Sequence, residues 1–117
     1  MVTKDQIKRG LSRYVDAEIV PRLPGGSVKK VIIGTALSLF MGNIEKNIDH
    51  LSDHPLIKTL GLIDESGRYD IDRLAEEVKR NMSDEGMKFS IDVLGMHFGD
   101  MTFHRSDVDS LRNHINS

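Results

Sequence analysis

His50 and His54 stand four residues apart, the spacing that puts two imidazoles on one face of a helix, and Asp49 and Asp53 lie beside them. Two neutral imidazoles so placed are half of a zinc site, with His97 or His104 as a third ligand from elsewhere in the chain. A metal-dependent hydrolase would use them in that way. The metalloprotease pattern also needs a glutamate directly after the first histidine, and Leu51 stands there. Pro55 then ends the helix, and a histidine near a helix C-terminus suits the helix dipole with no metal at all. The expectation is no metal and no cofactor.

Three other stretches fail as chemistry for definable reasons. The run from Leu62 to Asp72 is acidic with a central glycine, like a calcium loop, but placing Gly67 at position six puts Leu62 at one and Arg73 at twelve, where acids are required. It reads as a polar turn entering a strand. Pro24-Gly25-Gly26-Ser27-Val28-Lys29-Lys30 has glycines, a helix start and two lysines, but no preceding strand and no phosphate-loop spacing. Its helix-start amides hold an anion weakly at most. Serines and histidines are present without a nucleophile elbow, so no catalytic triad is indicated and the chain is read as not an enzyme.

The elements that would carry these residues follow from periodicity and caps. Thr3 and Gln6 form a capping box, and Ile7, Leu11, Val15 and Ile19 recur every four residues until Pro21 stops the helix. Ser27 is expected to cap a second helix from Val28, with a local weakness at Gly42 and an end before Pro55. Leu56, Ile57, Leu60, Leu62 and Ile63 make a short buried segment, and residues 68–71 a short strand. Asp70 or Asp72 caps a third helix with Leu74, Ala75 and Val78 on its buried side, ending at Ser83-Asp84-Glu85-Gly86. Phe89, Ile91 and Val93 alternate with polar residues, as Met101 and Phe103 do, so two further strands are expected. The chain can turn at Leu94-Gly95 or at Gly99-Asp100. Ser106 with Asp109 makes a second capping box before Val108, Leu111 and Ile115. The expected fold is α+β: two N-terminal helices, then a small antiparallel sheet of about three strands with two further helices. It forms a single domain over 1–117, helical over about 3–53 and mixed over about 55–117.

The second helix is apolar on more than one side. Val28, Val31, Ile32, Thr35, Ala36, Leu39 and Phe40 form one broad face, and Ile33, Leu37, Met41 and Ile44 another. The run is too short to span a bilayer. Gly34, Ser38 and Gly42 recur at four-residue spacing, leaving a narrow strip where another backbone can approach closely. The candidate interface is therefore Ile33, Gly34, Leu37, Ser38, Met41 and Gly42. Packing of this strip within the chain competes with self-association.

Composition narrows the function further. The 117 residues are 38% hydrophobic and 29% charged, which is globular rather than disordered. Without cysteine there is no disulfide framework or thiolate metal site, which fits a reducing compartment; the N-terminus shows no secretory signal, so a cytoplasmic location is expected. A net charge of −2 argues against a dedicated nucleic-acid binder. The charge is split, however: residues 1–30 carry seven Lys or Arg against three acids, and the remainder nine against fifteen. Lys4, Lys8, Arg9, Arg13, Lys29 and Lys30 are thus the candidate anion-binding residues, facing an acidic remainder in the same chain, in a second subunit or in an outside partner.

The stretches His54-Pro55-Leu56-Ile57-Lys58, Leu60-Gly61-Leu62-Ile63-Asp64 and Gly67-Arg68-Tyr69-Asp70-Ile71-Asp72-Arg73-Leu74, with Thr102-Phe103-His104 and Asp107-Val108-Asp109-Ser110-Leu111, resemble small uncharacterised prophage proteins of Gram-positive bacteria. The resemblance covers the C-terminal half and carries over no functional residue. It implies a phage-associated setting, where small non-enzymatic virion or accessory proteins are common. The leading expectation is a phage-type accessory or structural protein that works by self-association, as a homo-oligomer, or by binding another protein, with no membrane partner. The alternatives are a nucleic-acid-binding regulator using the basic face of the first helix with Lys29 and Lys30, and the hydrolase of His50 and His54.

Overall fold

The computed structural model describes residues 1–23, 26–93 and 95–117; the side chains of Ser27, Val28, Lys29, Lys30, Ala36, Ser38, Leu39, Phe40 and Leu56 lie outside that description. The described residues build five α-helices and one antiparallel hairpin, in the order α1 (Lys4–Tyr14), α2 (Ser27–Asp49), α3 (Pro55–Thr59), α4 (Ile71–Arg80), β1 (Met87–Val93), β2 (Met96–Phe103) and α5 (Arg105–Asn116). The α+β class is as expected. The sheet has two strands rather than three.

Helix α1 starts with the expected box: Thr3 Oγ1 accepts from the Gln6 amide at 3.2 Å, and Gln6 Oε1 accepts from the Thr3 amide at 2.8 Å. Its α-geometry ends at Tyr14 and widens into a π-turn over Val15–Ile19, then tightens into a 3-10 turn over Val20–Arg22. Pro21 has no N–H to continue the α-helical ladder, and the Val20 amide reaches back five residues to the Val15 carbonyl. The apolar stripe of α1 packs with Ile48, Ile57, Leu62, Tyr69, Ile71 and Ile115 in the main core.

The close contact in that core is between α1 and α5. A Cβ on Gly10 would lie 2.4 Å from the Ile115 Cα, so only glycine lets these backbones meet. Arg13 Nη2 continues the contact by donating to the His114 carbonyl at 2.8 Å and the Ser117 carbonyl at 3.3 Å, satisfying the end of α5.

Helix α2 runs unbroken through Gly42, about 34 Å at 1.5 Å per residue, and begins at Ser27 itself with Gly26 in the capping position. The radius of gyration is 15.3 Å, above the roughly 13 Å of a compact chain near this length, and the long axis is 46 Å. The second half of α2 reaches the main core through Ile44 and Ile48. None of the described side chains of its first half enters that cluster.

Residues 68–71 do not form a strand. Tyr69 makes isolated antiparallel bridges with Val2 and Ile63, exchanging both backbone hydrogen bonds with Val2, and Asp70 then caps α4 by accepting from the Arg73 amide. An extended run interrupted after one residue by a helix cap cannot join the hairpin. In the hairpin, Val93 pairs with Met96 across Leu94-Gly95, with Gly95 at a φ of 77° and Leu94 outside the described residues. Gly99 is no turn: Ile91 pairs with Gly99 and Asp92 with His97, which leaves Phe98 as the extra residue of a bulge. The face expected to be half-buried is wetter than its pattern implied, with Phe89 51% exposed. Val78, expected inside on α4, is also exposed.

Gly10→Ala tests the close contact. At an ordinary helical position the change would stabilise by about 1 kcal/mol. Here it should destabilise by roughly 1–3 kcal/mol through forced displacement of α5, read as a lowered urea midpoint.

Candidate functional site

The apolar helix borders a groove of about 420 Å³ between α2 and the extension of α1. Lys8 pairs with Asp49 while residues 12–20 share a groove with residues 34–45, so the two segments run alongside each other with opposite polarity. The groove is walled by Val15 and Val20 on one side and by Gly34, Leu37 and Met41 on the other, and Ser12, Asp16 and Glu45 complete it. Of the candidate interface, Gly34, Leu37 and Met41 meet at this groove, while Ile33 is 3% exposed and turned inside. Ser38 falls outside the described side chains. A Cβ on Gly34 or on Gly42 would meet no atom within 4 Å beyond the helix's own backbone. Val31, on the same helix, is 68% exposed.

The basic face is partly engaged inside the molecule. The Lys8 ammonium is hydrogen-bonded to Asp49, which raises its pKa and lowers that of Asp49, and Arg13 caps α5. Lys4 and Arg9 stay exposed, and the side chains of Lys29 and Lys30 lie outside the described residues, as do Pro24 and Gly25 of the glycine turn.

The histidines do not converge. His50 is exposed at the end of α2, 4.0 Å from Asp53, and His104 caps α5. On the hairpin, His97 Nδ1 lies 2.9 Å from Asp92 and 3.0 Å from Ser90, whose hydroxyl also donates to Asp92 at 2.7 Å. A relay needs the serine and the acid on opposite ring nitrogens; here both face Nδ1, and Nε2 looks toward Asp100 at 3.7 Å. Among the described residues no three His, Asp or Glu side chains gather as a metal site. In the calcium-like loop, Asp64 Oδ1 accepts from the Ser66 hydroxyl and from the Ser66 and Arg68 amides, which depresses its pKa and makes it the organiser of a turn.

A buried charge cluster escaped the sequence reading. Asp107, 4% exposed, accepts from Arg22 Nη2 at 2.7 Å, from the His104 amide at 2.8 Å and from the Tyr14 hydroxyl at 3.4 Å. Burial pushes its carboxyl up, but the Arg22 hydrogen bond and the His104 amide outweigh that and hold it below the usual carboxylate range. Burial, then the neighbouring Asp107 charge, raises Tyr14 to about 12. The box at the start of α5 is consequently His104 with Asp107, not Ser106 with Asp109. The one available signal was that Asp107 lies in the same first turn. Asp109 instead pairs with Lys79 at 2.9 Å, tying α5 to α4.

No helix among the described residues is long and apolar enough to cross a membrane. The chain matches no protein-family model, and neither a curated protein nor a solved structure is significantly similar to it.

Tyr14 sets an alkaline limit. Its folded pKa lies above the unfolded value near 10, so its contribution is complete below pH 10 and is lost as the pH rises through about 12. Asp107 acts oppositely: depressed in the fold, it stabilises above the unfolded pKa near 4 and loses that contribution as the pH falls below it. Tyr14→Phe should flatten the fall in urea midpoint between pH 10 and 12, and Asp107→Asn should flatten the acid limb while lowering stability at pH 7.

Proposed function

We propose that the protein is a small non-catalytic association protein of the phage-accessory type, which binds a protein surface through α2 and the groove beside it. The observation that carries this reading is the exposed Val31, on a helix apolar all round and flanked by an open groove with valine, leucine and methionine in its walls. A helix meant to be packed on one side alone would be polar where Val31 stands. On the hairpin His97 and Asp92 are both more than half exposed, and the engagement of Lys8 and Arg13 within the chain reduces the basic face that a nucleic-acid partner would need. The absence of cysteine supports a reducing, cytoplasmic setting for this activity.

Val31→Lys is the direct test. At so exposed a position it should alter stability by no more than about 0.5 kcal/mol and leave the far-UV circular dichroism intact. Binding to an immobilised sample of the protein, or to a partner drawn from the source cell, should be abolished. Unchanged binding by the variant to every protein that the wild type retains would refute the assignment of α2.

A further inference from the structure

An antiparallel strand turns the N–H and C=O groups of alternate residues away from its partner. Among the described residues β1 and β2 are the whole sheet, so each strand has one side without a neighbour. No backbone group of Met87–Val93 is bonded outside the hairpin among the described residues. The two edges differ. β2 carries the extra residue of the bulge, Phe98, which interrupts its row of donors and acceptors, whereas β1 has no extra residue. α2 comes near β1, yet Met87, Lys88, Phe89, Ser90 and Asp92 all remain exposed. A lone hairpin is marginal in water, and strands added at the β1 edge would stabilise it.

The side chains specify which strand fits. Lys88 lies 3.8 Å from Asp100, the Ser90 hydroxyl donates to Asp92 at 2.7 Å, and His97 is 2.9 Å from Asp92, so Lys88, Ser90 and Asp92 share the polar face. Met87, Phe89, Ile91 and Val93 alternate with them on the other face. Independently of α2, we propose that β1 pairs with β1 of a second copy, antiparallel about a two-fold axis at Ser90, the midpoint of Met87–Val93. Ser90 then meets Ser90, Lys88 meets Asp92 of the second copy, Met87 meets Val93 and Phe89 meets Ile91. Opposite charges, and an aromatic against a β-branched side chain, are favourable cross-strand pairs, and the two-fold makes each occur twice. An axis at Lys88 or at Asp92 would set like charges opposite each other, and a slip of one residue would set the apolar face against the polar one. Asp92 keeps acceptor positions beyond its bonds to Ser90 and His97. The product is a continuous four-stranded sheet with one apolar and one polar face.

Light scattering should give a two-chain mass for the wild type, twice 13.2 kDa. At the same concentration Lys88→Glu, which sets like charges opposite each other at both ends of the pairing, should give a one-chain mass. Lys88→Glu combined with Asp92→Lys should restore two chains, and that rescue separates pairing from a folding defect. Thiols then report the register, since the chain has no cysteine of its own. Directly opposed residues have Cα atoms about 5 Å apart, within disulfide reach. A mixture of Lys88→Cys and Asp92→Cys should cross-link on oxidation. Lys88→Cys alone should not, because its two copies lie four residues, about 13 Å, apart along the strands. A one-chain mass for the wild type at every concentration would overturn the inference, as would a dimer indifferent to Lys88→Glu or self-cross-linking of Lys88→Cys. Val31→Lys separates this surface from α2. A two-chain mass for that variant, with binding of a different protein abolished, supports both readings; a two-chain mass with no binding changed supports the β1 pairing alone. A one-chain mass for Val31→Lys would put self-association on α2 and overturn pairing through β1.

Discussion

The Ile115 backbone lies where a side chain on residue 10 would be, and this contact brings the two ends of the chain together. With α1 and α5 that close, Arg13 reaches the last carbonyls of α5, and Tyr14 stands edge-on to both His114 and Phe103. Further along the same pair, Arg22 meets Asp107 across 85 residues of sequence. Val2 and Ile7 from the start of the chain and Ile115 from its end share one core with everything that folds between them. The buried Asp107 is tolerable only inside this arrangement, because an unpaired carboxylate there would lose its hydration without compensation.

The same contact accounts for the state of α2. Because α1 presents its buried side to α5 and the main core, α2 runs beside it and leaves the groove between them open. The second half of α2 gains cover from the core through Ile44 and Ile48, and Asn43, Glu45, Lys46, Asn47 and Asp49 are its exposed polar residues there. In the first half the helix stays apolar where Val31 faces solvent. One helix thus combines an ordinary amphipathic segment with a surface whose composition suits contact with protein.

The split charge seen in the sequence is in part an internal complementarity. Lys8 with Asp49 and Arg22 with Asp107 each join a basic residue of the first third to an acid of the remainder. Within the C-terminal half, Lys79 joins Asp109, and Arg105 donates to the Lys79 carbonyl at the end of α4. The exposed pairs among these contribute little individually. Their collective effect is to fix the order in which helices lie against one another, and they remove part of the basic face from outside partners.

What the sequence determined by itself is what acts within a turn or two of chain. The Thr3–Gln6 box and the break before Pro55 were legible, and the cap of α4 was narrowed to Asp70 or Asp72 and the hairpin turn to Leu94-Gly95 or Gly99-Asp100, because capping and turn geometry depend on neighbours three or four residues away. Where two local solutions competed, the sequence was silent. His104 with Asp107 and Ser106 with Asp109 are both one-turn boxes, and Arg22, far away in sequence, selects the first by drawing Asp107 inside. Residues 68–71 have the look of a strand, yet Val2 claims Tyr69 and Asp70 turns at once into a helix. Gly10 gave no sign of its importance, since a glycine in a helix reads as a mere weakness until another backbone lies against it. Which side of α2 is covered belongs to the same class: the apolar pattern was plain, but only the docking of α1 onto α5 decided which part of it remains open, because burial is set by contacts between segments distant in the chain.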